Sequence, residues 1–302
     1  MPIVLQESLR GLFYAPFYVA LTHDAYAREG VDVRFVSAPE PGRAATAIMT
    51  GEADICWGGP MRVMQTYHRD PACDLVCFGE VVTRDPFLLV GRGARPDFSV
   101  RDLAGLRLGS VSEVPTPWMC LQEDLRRAGI APGLVARVAD RTMAANAAAL
   151  LAGTVDAIQV FEPFASDLVL NHCCAVWYAQ ASRGPTSYTT FYGRRAALTD
   201  RRDELIRMVR AIHRTLDWVA AASGAAIADA VRPYFPAVPA PVLEAACARY
   251  KSLGIWGRDP ILPRAGYDRL RDSLVSGGFV HPGTAFEVAV DNSLARAAMG
   301  QG

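Results

Sequence analysis

The clearest candidate for a ligand contact is a glycine-rich turn that follows a short apolar strand. Trp57, Gly58, Gly59 and Pro60 lie where the predicted strand 53–57 gives way to a predicted helix. Glycines let a ligand approach the backbone, and the free amides at the start of a helix bind anions. The alternative is a tight turn whose tryptophan belongs to the core. We treat all four residues as candidate ligand contacts.

A second group of candidates surrounds the start of another predicted helix. Ser110, Ser112, Glu113 and Thr116 precede this helix, and Trp118 lies in its first turn. Hydroxyls and amides at a helix N-terminus favour a carboxylate, a sulfonate or a phosphate. The alternative is simple capping of the helix by Ser112 or Thr116, with Trp118 packed in the core.

Four further candidates lie at a strand end, in a loop and in a connection between the predicted lobes. Glu162 follows the predicted strand 155–161, where its carboxylate would accept hydrogen bonds from an amino-pyrimidine. The alternative is a negative charge at the start of a helix, where the helix dipole stabilises it. Tyr14 lies in the loop before the first helix, and Tyr188 and Thr189 begin the predicted return connection. All four are candidate ligand contacts.

Other reactive residues lack the neighbours that catalysis requires. Cys56 has no histidine close in sequence to form a thiolate pair, and Arg62 fits either an anion contact or an ordinary helix surface. Lys251 is the only lysine, so any Schiff base would have to use it. Cys173 and Cys174 are adjacent, which is poor geometry for a tetrahedral metal. The sequence predicts no catalytic residue, no metal site and no cofactor.

A spacing of alanine, glycine and aspartate occurs twice and indicates a duplicated β-α-β unit. The two copies are Ala47-x-x-x-Gly51-x-x-Asp54 and Ala149-x-x-x-Gly153-x-x-Asp156. Ligands of open α/β sheets bind at the carboxyl ends of the strands, so two such units facing each other make a cleft. We therefore predict an α/β protein with two lobes. Lobe one contains residues 1–85 and 190–302, the latter mainly helical, and lobe two contains residues 86–189.

The composition excludes several classes of function. The formal net charge is zero and no basic block is present, which argues against nucleic-acid binding. No apolar run approaches the roughly 20 residues of a membrane span, so we expect no direct membrane insertion. The N-terminus has no signal-peptide pattern, and seven cysteines suit a reducing compartment. These features predict a cytoplasmic protein, or a periplasmic one if a leader was removed.

Over about residues 1–220 the order of elements resembles the type II periplasmic binding protein fold. The resemblance is to the branch that binds nitrate, taurine, alkanesulfonates and thiamine pyrimidine precursors. The residues that carry it are Tyr14-Ala-Pro-Phe-Tyr18, Glu29-Gly-Val-Asp-Val33, Gly51-x-x-Asp54, Asp102-Leu-Ala-Gly-Leu-Arg-Leu-Gly109, Gly153-x-x-Asp156-Ala157 and Glu162-Pro163.

The resemblance implies a solute-binding protein for an ABC importer, with a transporter permease as its partner. The ligand would be clamped between the lobes. The aromatic residues near the proposed cleft suggest a small planar, aromatic or pyrimidine-like molecule, and the two helix N-termini leave room for an acid group. The alternative is a cytoplasmic enzyme on the same fold, similar to a thiamine pyrimidine-precursor synthase or a carbon–sulfur lyase. In the synthase branch the lysine would fall near Gly58 or Gly59 and the histidine near Arg62. Its cysteine-rich run would fall on 187–191, which contains no cysteine. A sensor with this fold is a third possibility.

Overall fold

A computed structural model describes residues 1–282 and 284–301, and its strands form two five-stranded sheets. The strands in these residues are β1 Ile3–Glu7, β2 Val33–Ser37, β3 Ile55–Gly58, β4 Leu75–Val82, β5 Leu88–Arg92, β6 Arg107–Val111, β7 Ala136–Arg141, β8 Ala157–Val160, β9 Cys174–Ala179 and β10 Thr189–Arg194. The first sheet has the order β2-β1-β3-β10-β4, and the second has the order β7-β6-β8-β5-β9.

The helices of the same residues pack on and between the sheets. They are α1 Ala15–Thr22, α2 Ala25–Arg28, α3 Ala44–Thr50, α4 Pro60–Arg69, α5 Thr116–Arg127, α6 Met143–Leu151, α7 Phe164–Asn171, α8 Arg195–Asp200, α9 Arg202–Ala221, α10 Gly224–Val231, α11 Ala240–Ser252, α12 Arg264–Ser276, α13 Phe286–Ala289 and α14 Ser293–Ala298. Short 3-10 turns join several of them. None of these helices combines the length and the apolar character needed to cross a bilayer.

The predicted two-lobed α/β architecture is confirmed. We call the first sheet with its packed helices lobe one and the second sheet with its helices lobe two. The chain leaves the first sheet after β4 and returns to it in β10, so two crossovers, 83–87 and 180–188, join the lobes. The exact limits of each lobe stay a prediction.

The repeated spacing corresponds to the same local structure in both lobes. Gly51 and Gly153 end α3 and α6 with φ of +78° and +74°, a conformation that side chains with a Cβ rarely adopt. The Asp54 carboxylate accepts the Val4 amide of β1 at 2.7 Å. The Asp156 carboxylate likewise accepts the Arg107 amide, which begins β6, at 2.9 Å. In each lobe a triplet of parallel strands lies side by side, with β1 or β6 in the middle. The aspartate joins this middle strand to the start of the strand that follows the helix.

A buried arginine connects the two crossovers. Arg183 in the second crossover pairs with Asp85 in the first and with Asp124 on α5. The side chain of Arg183 is only 5% exposed, and that of Asp85 is fully buried. A buried cation between two carboxylates keeps its charge paired out of water. The two crossovers and α5 are therefore fixed to one another.

The C-terminal helices, which the sequence predicts as part of lobe one, also contact lobe two. Helix α11 contacts α10 and also α7 of lobe two, and α12 contacts α4 and also α5 of lobe two. The segment between α11 and α12 runs beside the first crossover, where the Gly257 amide donates to the Val81 carbonyl at 2.9 Å and the Thr83 amide to the Ile255 carbonyl at 2.8 Å. Both helices therefore bridge the lobes.

Two apolar helical stretches near the chain ends are interrupted. α1 and α2 are separated at Asp24, which adopts a φ of +51° and precedes α2. α13 and α14 are likewise separate short helices. Periodicity alone does not detect such breaks, because the apolar face continues on both sides of the interruption.

Candidate functional site

A small cavity lies between the lobes, where the strands β1, β3 and β6 end. Its volume is about 40 Å³. Its walls are mostly apolar or aromatic, with a few polar groups, and consist of Ser8, Leu9, Phe13, Tyr14, Gly59, Met61, Arg62, Phe87, Val114, Thr116 and Tyr188. Apolar walls with few convergent polar groups are typical of small-molecule sites. Both lobes and both crossovers contribute to this wall, so we take it as the candidate site.

A larger depression exists elsewhere, but it is a weaker candidate. It has a volume of about 430 Å³ and lies on the outside of lobe one, between α1, α2 and the start of β2. This is the opposite end of β2 from the carboxyl ends of the strands, which is where open α/β sheets bind their ligands. We therefore place the site in the cavity between the lobes.

Arg62 is the charged group of the cavity wall. It lies in the first turn of α4, and its Nη1 donates to the Gln65 side chain at 3.1 Å. In the described part of the chain, no carboxylate oxygen lies within 4.0 Å of its guanidinium. Burial lowers the pKa of Arg62, because it disfavours the charged form of the guanidinium. A half-buried cation of this kind is suited to an anionic ligand.

Two helix N-termini converge on the same cavity from opposite lobes. Helix α4 follows Gly59, and helix α5 begins at Thr116. Neither helix has a side-chain cap at its N-cap residue. The positive end of a helix dipole favours negative charge, so both helices reinforce the preference that Arg62 sets.

Four residues predicted from the sequence line the cavity. They are Tyr14, Gly59, Thr116 and Tyr188. The Tyr14 hydroxyl lies 3.0 Å from the Ser8 hydroxyl, and burial raises the pKa of Tyr14, so its phenol is neutral. Burial also raises the pKa of Tyr188. These residues offer hydrogen bonds and aromatic surface without adding a charge.

The structure places Trp57 in the core rather than at the cavity. Its indole is fully buried and stacks between Phe17 and Phe35, with ring centroids 4.7 Å and 5.1 Å away. The Trp57 side chain thus packs among aromatic residues of lobe one. Successive side chains of a strand point to opposite faces, and Trp57 points to the helix-covered face of β3.

The neighbours of Trp57 are placed in a similar way. Gly58 packs against Tyr192 and Ser8, and Pro60 is buried in the first turn of α4. Thr189 is fully buried on β10. None of these three predicted contacts lines the cavity.

The predicted residues of lobe two, apart from Thr116, have structural partners outside the cavity. Ser110 is fully buried and accepts a hydrogen bond from Arg137 at 2.7 Å. The guanidinium of Arg137 also covers the Trp118 ring at 4.4 Å. Glu113 accepts the Met143 amide at 2.9 Å, at the start of α6.

Ser112 and Glu162 also lie away from the cavity. Ser112 is exposed. Glu162 is fully buried and is paired with Arg249 of α11, so it fixes the C-terminal part to lobe two. Sequence reasoning could not foresee this partner, because it lies 87 residues further along the chain.

The Cys56 thiol, on the strand β3 that ends near the cavity, is not arranged as a nucleophile. Cys56 is fully buried, and burial raises the pKa of its thiol to about 12. It donates to the Trp57 carbonyl at 3.2 Å. Lys251 lies on α11, where its ammonium donates to the Ala222 carbonyl. Within residues 1–282 and 284–301, no three histidine, cysteine, aspartate or glutamate side chains group as metal ligands.

Sequence reasoning missed most of the apolar wall. The missed residues are Ser8, Leu9, Phe13, Met61, Phe87 and Val114, and Arg62 was weighed but not selected. One signal was available for Arg62, because it lies in the first turn of a helix that follows two glycines. The apolar residues carried no such signal, since nothing in their spacing distinguishes them from core residues.

Comparisons with known proteins agree with this architecture. The model of the family described as NMT1/THI5 like matches residues 13–226. YtlA of Bacillus subtilis, which is named as a binding protein, is 25% identical over 280 residues, which cover 91% of this chain and 83% of YtlA.

Solved structures share the fold at low sequence identity. The aliphatic sulphonate binding protein SsuA from Escherichia coli has a TM-score of 0.74 and 17% identity, with 92% of this chain and 93% of SsuA covered. The desulfurization enzyme DSZB has a TM-score of 0.70 and 14% identity, with 99% of both chains covered. The fold is thus that of periplasmic solute-binding proteins, and the match to more than half of the sequence shows that this chain belongs to the NMT1/THI5-like family.

Proposed function

We propose that this protein binds a small organic anion with a planar, apolar body and holds it between its two lobes. The observation that carries this proposal is Arg62, a half-buried cation at the cavity with no carboxylate near it in the described residues. The helix N-termini at Gly59 and Thr116 add favourable potential for the acid group. The aromatic wall suits the rest of the ligand.

A carboxylate or a sulfonate fits these groups better than a neutral pyrimidine does. Guanidinium binds both acids with two parallel hydrogen bonds, and each such bond gains strength in a dry site. The cavity wall has one cation and no carboxylate, so a single negative charge on the ligand is balanced. The named relatives include sulfonate-binding proteins, which is in line with this choice.

We further propose that the protein delivers this anion to an ABC importer, with a transporter permease as its partner. The family match and the sulfonate-binding neighbours support this role. The enzyme alternative has one supporting likeness, to DSZB, at the level of the fold. The raised pKa of Cys56 argues against a cysteine nucleophile at this cavity.

The first test is a thermal-shift and calorimetry panel with benzoate, benzenesulfonate, taurine, nitrate and an aminopyrimidine. A ligand at 100 times its dissociation constant adds about 2.7 kcal/mol to the free energy of unfolding, which is a readable shift. We expect the aromatic acids to bind and the neutral pyrimidine not to. Mass spectrometry of the recovered ligand separates binding from turnover, since a consumed ligand favours the enzyme.

The second test replaces the cation. Arg62→Gln should weaken binding of the aromatic acid by about 2 kcal/mol or more, the usual cost of removing one partner of a buried charge pair. Arg69→Gln is the matched control, because Arg69 lies exposed at the end of the same helix. Equal affinity in the two variants would contradict an anion contact at Arg62.

A further inference from the structure

The cavity is too small for the ligand class that its walls suit. A volume of about 40 Å³ is far below the roughly 300–1,000 Å³ of typical ligand pockets. A bound aromatic acid therefore needs part of the wall to move even when the lobes close over it. The question is which side chain can move without disturbing the fold.

Phe13 is the wall residue that fills the space between the lobes. Its ring lies 5.2 Å from the Phe161 ring of lobe two and 6.3 Å from the Tyr188 ring, measured between centroids. Only 3% of the residue is exposed. The ring thus occupies the position between lobe one and lobe two that is continuous with the cavity.

The backbone of Phe13 is fixed independently of its ring. It belongs to a 3-10 turn, Leu12–Tyr14, and its carbonyl accepts the Trp256 indole N–H at 2.9 Å. The ring packs against the aromatic rings of Tyr14 and Phe161, whereas the Tyr14 hydroxyl is held by a hydrogen bond to Ser8. Rotation of the Phe13 side chain therefore breaks no hydrogen bond.

Gly11 provides the space in which this ring lies. A Cβ atom built on Gly11 would be 2.6 Å from a carbon of the Phe13 ring, closer than real contacts allow. The three other aromatic residues of the wall have further attachments: Tyr14 contacts the Ser8 hydroxyl, and Phe87 and Tyr188 belong to the two crossovers. Among the four aromatic wall residues, Phe13 is the one that lies outside both crossovers and has no side-chain hydrogen bond.

We propose that Phe13 determines the largest ligand that the closed protein accepts. Its ring yields to make room for a single aromatic ring beside Arg62, and it excludes a fused or second ring that would need the space next to Phe161. This inference rests on the proposed function, since it assumes that the cavity binds an aromatic acid.

The test compares benzenesulfonate with naphthalene-2-sulfonate by calorimetry in the wild type, Phe13→Leu and Phe13→Ala. We expect the wild type to prefer benzenesulfonate. Phe13→Ala should shift the ratio of the two dissociation constants at least tenfold towards naphthalene-2-sulfonate, with Phe13→Leu in between. Phe13→Leu keeps most of the buried apolar volume, so the ratio can be measured in this variant if Phe13→Ala does not fold.

Phe78→Leu is the matched control, because Phe78 is a fully buried phenylalanine of β4 that does not line the cavity. It should leave the ratio unchanged. If the ratio of the two dissociation constants is unchanged in both Phe13 variants while wild-type binding still depends on Arg62, the role of Phe13 is overturned but the proposed function stands. If neither sulfonate binds to the wild type or to any variant, the proposed function fails as well. Binding by the Phe13 variants alone would support Phe13 as the size limit.

Discussion

Glu162 and Arg249 form an ion pair that joins the end of β8 in lobe two to α11 in the C-terminal part. The Glu162 side chain is fully buried, and the Arg249 side chain is 23% exposed. The same carboxylate accepts the amide and the hydroxyl of Ser166 at 2.8 Å and 3.0 Å. The Glu162 amide donates to the Tyr250 hydroxyl at 2.8 Å. Backbone and side chain together attach lobe two to α11.

This pair should contribute strongly to stability. Glu162→Gln leaves the Arg249 charge without its partner, and we expect the free energy of unfolding to fall by about 3 kcal/mol. This is the lower end of the range for a buried pair, because Arg249 reaches solvent. Urea unfolding of Asp272→Asn is the control, since Asp272 pairs with Arg271 at the surface and should contribute less than about 1 kcal/mol. Similar losses in the two variants would show that the Glu162 pair is no stronger than a surface pair.

Glu80 should make stability depend on pH. Burial raises its pKa to about 8, and the opposing effect of the nearby Ser187 hydroxyl is smaller. Its pKa in the unfolded chain is near 4.5, so between these values the folded protein holds one more proton than the unfolded chain. The contribution of Glu80 is therefore fully present below the unfolded pKa and is lost as the pH rises through the folded pKa.

We expect this group to lower the free energy of unfolding by up to about 1.4 kcal/mol per pH unit between pH 5 and 8. Glu80→Gln removes the titration, so its stability relative to the wild type should increase with pH in urea unfolding at pH 5.5, 7.0 and 8.5. Glu244→Gln, at an exposed position on α11, should follow the wild-type profile. Parallel profiles for Glu80→Gln and the wild type would rule out the titration of Glu80.

A comparison of Thr116 with Ser112 tests whether the acid group binds at the start of α5, because only Thr116 lines the cavity. Thr116 lines the cavity and is 7% exposed, whereas Ser112 faces solvent. Thr116→Val keeps the shape and removes the hydroxyl, so the acid should bind about 1 kcal/mol more weakly by calorimetry. Ser112→Ala should leave the affinity unchanged. A loss in Ser112→Ala alone would move the acid-binding position away from the start of α5.

The lobes could be predicted from the sequence because their signals are local. Gly51 and Gly153 each end a helix, and an aspartate three residues later bonds the middle strand of the triplet. Each signal needs only neighbouring residues and a strand or helix period, so the duplicated unit and the positions of its strand ends followed directly.

The site could be predicted only in part, because side-chain direction and contacts between distant segments decide it. Trp57 lies one residue before the turn, and the alternation of β3 directs it into the core. Phe13 meets Phe161, and Glu162 meets Arg249, only after both lobes and the C-terminal helices have packed. Nothing local in the sequence encodes these pairs.

The two bridging helices also determine how the molecule unfolds. Each of α11 and α12 packs on both lobes, and lobe one itself is built from two separate stretches of chain. Proteins of two domains often melt in separate steps when few contacts join the domains. Here the unfolding of either lobe would remove the contacts that α11 and α12 make with it. The whole chain should therefore unfold in one cooperative transition, seen as a single peak in calorimetry.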